Sequence, residues 1–161
     1  MKSMGILYDT REQKNDHILD YFKKKNIPVK KRKINQGDYS FYIPKNEKLG
    51  IPVDLFFDKE FAIERKNSLE ELSGNLTTGR DRFKNELAQH KGSLLLLIEN
   101  ANYHDIITGN YNTQYGSASF LGSLHSMSTE FDVPFIFIPD NRVTGVFIER
   151  HCYYYLRNLI K

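Results

Sequence analysis

The sequence lacks several features that define other classes of protein. It has one cysteine, Cys152, which excludes an internal disulfide, and its five histidines lack the spacing of zinc ligands. Its longest apolar run, Leu94–Ile98, is far shorter than the roughly 20 residues that span a bilayer. Its charged N-terminus lacks the apolar core of a signal peptide. We therefore expect no structural zinc site, no membrane segment and a soluble, intracellular protein.

Repeats, low-complexity tracts and interdomain linkers are also absent from the sequence. A chain of 161 residues, 40% of them hydrophobic, is long enough to bury one good core and too short to promise two. We therefore predict a single domain over residues 1–161.

Charge gives only a weak indication of nucleic-acid binding, because the net charge is +3. The cations are nevertheless uneven, since seven lie between Lys23 and Lys33 without an acid among them. This segment is a solvated helix end and edge strand, a phosphate-binding surface through Lys30, Lys31 and Lys33, or a nuclear import signal.

Hydrophobic periodicity predicts alternating strands and helices. Strands are predicted at Met4–Thr10, Val29–Ile34, Gly37–Ile43, Val53–Phe57, Phe61–Lys66, Ser93–Glu99 and Pro134–Ile138. Helices are predicted from Asn15 or Asp16 to about Asn26, and at Ser68–Leu76, Arg80–Gln89, Ser117–Glu130 and Thr144–Ile160. The middle strands are predicted to form a β-meander, and Asn100–Gly116 a loop with one helical turn. This alternation is typical of an α/β sandwich with a mixed sheet.

The predicted strand Phe61–Lys66 carries the first candidate for chemistry. Because side chains alternate along a strand, Glu64 and Lys66 share one face and Arg65 lies on the other. Phosphodiester hydrolysis needs oxygen ligands for Mg²⁺, an activated water and positive charge for the transition state. A carboxylate beside an ammonium meets part of this need, although most such pairs are ordinary ion pairs.

Two aspartates could join this pair. Asp38 follows Gly37 at the start of a predicted strand, and Asp9 ends the first predicted strand. Each could bring a carboxylate to the same metal, although an aspartate after glycine is also common in plain turns.

Five short motifs follow one another along the chain, namely Asp9-Thr10-Arg11-Glu12, Gly37-Asp38-Tyr39, Ile63-Glu64-Arg65-Lys66, Gly79-Arg80 and Leu96-Leu97-Ile98-Glu99. In kind and in order they resemble the motifs of the XPF/Mus81-type nuclease domain, also called the ERCC4 domain. The resemblance implies a restriction-endonuclease-like fold, with a central mixed β-sheet flanked by helices. It also implies a Mg²⁺- or Mn²⁺-dependent endonuclease that selects branched, flap or fork DNA, in DNA repair or recombination.

The resemblance assigns roles to individual residues. Asp38 and Glu64 would be metal ligands, and Asp9 would be a supporting acid close to the metal. Lys66 would orient the attacking water or stabilise the developing charge. Arg65 would form a supporting salt bridge, because alternation points it away from Glu64. Two further arginines would hold phosphates, as their planar charged groups suit that task; they are Arg11 and Arg80.

The chain departs from the family pattern in two places. A hairpin around Pro44–Lys59 lengthens the segment between the aspartate and glutamate motifs, so that Asp54 or Asp58 could enter the site. The aspartate that follows the family's Glu-Arg-Lys motif is missing, and Glu70 and Glu71 compete for its place.

Short free-standing domains of this kind resemble phage and bacterial proteins, and this resemblance implies a cytoplasmic location. The predicted last helix, with Tyr153, Tyr154 and Tyr155, has more apolar surface than one core-facing stripe needs, which favours a homodimer.

Two other functions remain open. One is a catalytically silent module that binds DNA or a partner, although silent relatives lose the acids that are present here. The other, a Mg²⁺-dependent nucleotide enzyme, is disfavoured because no glycine-rich loop follows the first strand.

Overall fold

The computed structural model describes residues 4–161, which fold around one seven-stranded sheet. Six strands lie in the order β2-β1-β3-β5-β6-β7, and the short β4 pairs with β3. β1 and β2 are parallel, as are β5, β6 and β7, while β3 runs antiparallel to β1, β4 and β5. The strands are β1 (Gly5–Tyr8), β2 (Val29–Lys31), β3 (Tyr39–Ile43), β4 (Leu55–Phe56), β5 (Phe61–Lys66), β6 (Ser93–Glu99) and β7 (Phe135–Ile138).

Helices cover both faces of this sheet. Two of them, α1 (Asp16–Lys24) and α6 (Thr144–Leu159), pack on the face that carries Ile6, Phe41 and Ile63. The opposite face is covered by α2 (Leu69–Leu76), α3 (Arg80–Gln89) and α5 (Ser117–Phe131), with α4 (Tyr103–Thr108) beside α5. The predicted class, a mixed sheet flanked by helices in a restriction-endonuclease-like sandwich, is therefore confirmed.

Local sequence explains where the helices begin and how they dock. Ile18 and Phe22 are one turn apart on α1, and both are fully buried against the sheet. Ser68 caps α2 by accepting a hydrogen bond from the backbone N–H of Glu71. Among residues 4–161, none of the helices combines the length and apolarity that crossing a bilayer needs.

The predicted β-meander in the middle of the chain is wrong in its pairing. β1 lies between β2 and β3, and both β4 and β5 pair with β3 instead of with each other. Several strands are also shorter than predicted; β4, for example, has two residues and β2 has three. This order brings the end of β1, the start of β3 and the end of β5 to one edge of the sheet.

Candidate active site

Asp38 is fixed at this edge by backbone hydrogen bonds to both neighbouring strands. Its N–H donates to the Ile63 carbonyl at 2.7 Å, and its carbonyl accepts from the N–H of Asp9 at 2.8 Å. Its side-chain Oδ2 accepts from the backbone N–H of Arg65 at 2.7 Å. The carboxylate is therefore held at the end of β5, beside Glu64, in a cleft that both residues line.

Sterics explain why the Gly-Asp motif has a glycine at position 37. Gly37 has a φ of +91°, which side chains disfavour, and a Cβ there would lie 2.7 Å from the Cβ of Ala62. Any larger residue would push the chain away from β5 and take Asp38 with it.

Glu64 and Lys66 lie on the cleft face of β5, as strand alternation requires. Lys66 Nζ donates to Glu64 Oε1 at 2.9 Å and sits 4.9 Å from the centre of the Phe83 ring. The Lys66 side chain is only 7% exposed and that of Glu64 15%. A nearly buried cation is therefore paired with Glu64, and its charge also acts on the Asp38 carboxylate.

Burial and like charge make the electrostatic surroundings of the Asp38 and Glu64 carboxylates unfavourable. Burial, followed by repulsion from Glu64, raises the pKa of Asp38 well above its usual value. Burial also raises the pKa of Glu64, and Lys66 offsets part of that rise. Burial alone would lower the pKa of Lys66, yet the Glu64 and Asp38 carboxylates raise it. The site therefore gains from a bound cation that offsets its negative charge.

Arg65 lies on the other face of β5, inside the protein. Its guanidinium contacts two carboxylates, with Nε 2.8 Å from Glu12 Oε2 and Nη1 2.6 Å from Glu99 Oε1. Nη2 donates to the Gln13 carbonyl at 2.6 Å. The Arg65 side chain is 3% exposed, so these contacts bind it on three sides and fix the strand that carries Glu64 and Lys66.

Asp9, the predicted supporting acid, has its carboxylate bonded to donors of the protein itself. Its carboxylate accepts hydrogen bonds from Arg11 N at 2.9 Å, Arg11 Nε at 2.8 Å and Ile34 N at 2.7 Å. These contacts occupy both of its oxygens, and the residue is 1% exposed. Asp9 therefore supports Arg11, which lines the cleft with Asp38 and Glu64, and its role as a supporting acid near the metal stays a prediction.

Two expectations about the inserted hairpin and the basic segment differ from the structure. Asp54 lies outside the cleft, where its carboxylate accepts from Lys30 Nζ and from the backbone N–H of Lys45. Asp58 pairs with Arg32 at 3.7 Å. Hairpin carboxylates thus pair with Lys30, a predicted phosphate contact, and with Arg32, whereas the exposed Lys31 and Lys33 form no ion pair with the described residues 4–161.

Three further candidates lie near the cleft. Arg80 is exposed at the first residue of α3, one turn before Phe83, whose ring faces Lys66. Glu71 lines the cleft and accepts from the backbone N–H of Asn67 at 2.8 Å. Glu70 instead accepts from the N–H of Asn112, so the structure favours Glu71 over Glu70 as the neighbouring acid.

Sequence reasoning assigned no role to Glu12, His17 or Glu99, although two of them lie in motifs. Glu12 and Glu99 bind Arg65, and His17 Nε2 lies 2.8 Å from Glu99 Oε2. His17 and Glu99 are 82 residues apart, a separation that no local pattern indicates. Their buried, paired charges become visible only once β5, β6 and α1 are assembled.

The donor set of the cleft fits a hard divalent cation. Within residues 4–161, no three His, Cys, Asp or Glu side chains are grouped closely enough to form a complete metal cage. Asp38 and Glu64 are the two carboxylates that line both parts of the cleft, whereas Glu86, Glu12 and Glu71 each line one part. Mg²⁺ commonly takes one or two carboxylates and keeps several waters, so two ligands at the edge of an open cleft meet its requirements.

Comparison with known proteins agrees with the fold and the motifs. The family model for the ERCC4 domain matches residues 8–150. XPF from Aeropyrum pernix in complex with DNA has a TM-score of 0.68 and 16% identity, over 95% of this chain and 65% of that one. A second structure of XPF from Aeropyrum pernix has a TM-score of 0.66 and 15% identity, over 92% of this chain and 60% of that one.

The chain therefore spans less than two thirds of the length of either XPF chain. At these identities the likeness to the solved structures shows the fold. No curated protein sequence matches the chain. The resemblance predicted from the five motifs is confirmed by the family match. The chain belongs to the ERCC4 family of nuclease domains.

Proposed function

We propose that this protein is a metal-dependent DNA endonuclease whose site is formed by Asp38, Glu64 and Lys66. The observation that carries the proposal is the carboxylate pair in the cleft, with a nearly buried ammonium 2.9 Å from one of its oxygens. A cluster of this kind is costly to bury. The cost is understandable where the groups bind a cation and an anionic substrate.

Asp38 and Glu64 would hold Mg²⁺ or Mn²⁺ through their carboxylate oxygens. When bound, the cation supplies Lewis acidity and an activated water. Arg65 keeps Asp38 in place through its backbone N–H. Lys66 would place positive charge where the phosphate becomes more anionic, which favours the transition state over the ground state.

DNA phosphates would contact the cations around the cleft. Arg11 is held by Asp9 and remains 64% exposed, so its free edge is available to a phosphate. Arg80, at the start of α3, and the exposed Lys31 and Lys33, next to β2, extend the positive surface on two sides. Selectivity for branched, flap or fork DNA is part of the proposal. The phage or bacterial origin, cytoplasmic location and repair or recombination setting stay predictions.

The function is tested with end-labelled flap, fork, four-way junction and plain duplex DNA. We expect cleavage with Mg²⁺ or Mn²⁺, none in EDTA, and faster cutting of at least one branched form. Equal cutting in EDTA would contradict metal dependence. Binding of these DNAs without any cleavage in either metal would make the protein a binding module.

DNA affinity is expected to fall steeply with salt, because the proposed contacts are to phosphates. Each phosphate contact contributes about 0.9 to the slope of log affinity against log salt. Replacing Lys31 and Lys33 with alanine should therefore lower the slope by about 1 to 2, as measured by fluorescence anisotropy. Arg150→Ala with Arg157→Ala, on α6, is the control with the same charge change. If both double variants lowered the slope equally, Lys31 and Lys33 would contribute only to the overall electrostatic attraction of the protein for DNA.

Homodimerisation through α6 is also proposed. Tyr155 stacks on Phe61 with 4.6 Å between ring centres, and Tyr153 is half-buried, so these two belong largely to the core. Tyr154, however, is 50% exposed in the C-terminal half of α6, Val146 is 37% exposed in its first turn, and Ile160, just after the helix, is 62% exposed. Exposed apolar side chains of this kind suit contact with a partner.

Light scattering should accordingly report a dimer that Tyr154→Glu converts into a monomer. Tyr103→Glu changes another exposed tyrosine, on α4, and should leave the dimer intact. A wild-type mass that corresponds to a monomer at all concentrations would remove this proposal without affecting the nuclease site.

A further inference from the structure

A hydrogen bond joins the first turn of α1 to the end of β6. His17 Nε2 lies 2.8 Å from Glu99 Oε2, and since a carboxylate accepts, the imidazole N–H donates. The His17 side chain is 29% exposed, whereas Glu99 is completely buried. The contact therefore lies between the solvent and the interior of the protein.

The same glutamate is the inner partner of Arg65. Glu99 Oε1 accepts from Arg65 Nη1 at 2.6 Å, and the backbone N–H of Arg65 donates to Asp38 Oδ2 at 2.7 Å. Three hydrogen bonds thus connect His17 to Asp38 through Glu99 and Arg65, with the side chain and the backbone N–H of Arg65 forming the last link. His17 itself does not line the cleft.

The two sides of the Arg65 guanidinium are not held equally. Glu12 binds Nε and Nη2 with both of its oxygens, at 2.8 and 3.2 Å. Glu99 binds Nη1 with one oxygen only, so its orientation depends on what holds the other oxygen. In the described part of the chain, the other side chain bonded to Glu99 is His17.

Removing His17 would leave a buried carboxylate oxygen without its donor. An unpaired oxygen of this kind is costly, so the side chain turns toward water or another donor. Such a turn would release Arg65 Nη1, and the end of β5 would lose its inner anchor. Asp38 would then lose the fixed N–H that orients it toward Glu64.

We infer that His17 is a positioning residue of the nuclease site, which acts on Asp38 through Glu99 and Arg65. The inference rests on the proposed function. Residues that orient the ligands of a metal commonly contribute about 10- to 100-fold to metal affinity or activity. His17 does not line the cleft where DNA would bind, so its contribution should fall on kcat and metal affinity, with KM for DNA unchanged.

The test compares His17→Leu and His17→Gln with the wild-type protein. Glutamine keeps an N–H donor that can reach Glu99, whereas leucine keeps only the apolar bulk. His125→Leu is the matched control, because it removes a histidine hydrogen bond of 2.8 Å to Tyr103 that lies away from the cleft. The measurements are kcat and KM on the best DNA substrate, Mn²⁺ affinity by calorimetry without DNA, and Tm.

His17→Leu is expected to lower kcat and Mn²⁺ affinity by about 10-fold or more, with KM within about twofold. His17→Gln should recover most of both losses, and His125→Leu should change neither. Calorimetry needs folded protein, and Tm identifies a variant that has simply unfolded. If His17→Leu is unfolded, the test compares folded His17→Gln with His17→Asn, whose side chain has a shorter reach.

Several outcomes would overturn the inference. Wild-type kcat and Mn²⁺ affinity in His17→Leu would do so, as would a glutamine variant no better than leucine. Wild-type protein that binds Mn²⁺ but cuts no DNA, with weaker Mn²⁺ binding in His17→Leu, would reject the nuclease proposal and retain the positioning role. Wild-type protein that neither cuts DNA nor binds Mn²⁺ would overturn both.

Discussion

Asp38→Asn protein is expected to bind DNA, to melt at a higher temperature than wild type in the absence of metal, and to cut no DNA. Asparagine keeps an oxygen for the Arg65 N–H bond of 2.7 Å but removes the charge that a hard cation requires. Loss of a metal contribution of several kcal/mol corresponds to a cleavage rate lower by about a thousandfold or more.

The rise in Tm follows from the sign of the pKa shift. Burial and Glu64 raise the pKa of Asp38 in the folded protein, so the folded state holds its proton more tightly than the unfolded state. Its contribution to stability therefore falls as pH rises from the ordinary carboxyl range through the raised value. At neutral pH the neutral asparagine relieves this cost, and about 1 kcal/mol would raise Tm by about 2–4 °C.

Glu64→Gln is the matched comparison. It should also abolish cleavage, yet it removes the carboxylate that pairs with the nearly buried Lys66, so it should stabilise less than Asp38→Asn or destabilise. The measurements are single-turnover cleavage and thermal melts in EDTA. Full activity of either variant would remove that residue from the metal site, and equal Tm shifts would contradict the assigned charge pairing.

Arg65→Met is expected to destabilise the protein more than any surface arginine change. It leaves the Glu12 and Glu99 carboxylates, 8% and 0% exposed, without their shared cation. Removing one member of a buried ion cluster costs about 3–5 kcal/mol, which in a chain of this size lowers Tm by at least about 6 °C. Thermal melts followed by circular dichroism measure the change.

Arg82→Met provides the control, because Arg82 pairs with Glu86 at 3.1 Å on the surface, where the arginine is 83% exposed. Exposed pairs contribute about 0–1 kcal/mol, so its Tm should change little. Adding Glu12→Gln and Glu99→Gln to Arg65→Met should restore part of the lost stability, since the stranded charges are then gone. Equal losses for Arg65→Met and Arg82→Met would show that the cluster contributes no more than a surface pair.

The sequence predicted best the elements whose pattern is strong and whose limits are marked. The bounds of Phe61–Lys66, Arg80–Gln89 and Ser93–Glu99 agree with the structure. Each is a regular polar or apolar pattern that ends at a turn residue or a change of period. The pairing of β5 with β3 and the place of β1 between β2 and β3 were not predicted, because an apolar run indicates a strand but not its partner.

The site was predicted in outline for a similar reason. Alternation along β5 was enough to separate Glu64 and Lys66 from Arg65, and the motifs brought in Asp38. The contacts of Asp9 were not predicted, because its carboxylate accepts from the N–H of Ile34, 25 residues later in the chain. Contacts of this range depend on how loops return to the sheet, which sequence periodicity does not describe.

The order of the strands also determines when the site can form during folding. Asp38 enters at the start of an antiparallel strand placed between β1 and β5, and its contacts with Ile63 and Arg65 join positions separated by 25 and 27 residues. Closing such loops costs entropy before any contact compensates for it, and sheets built from distant segments assemble slowly. A nascent chain that has completed β1 and α1 thus has none of the paired acids, and metal affinity would appear only after β5 has docked.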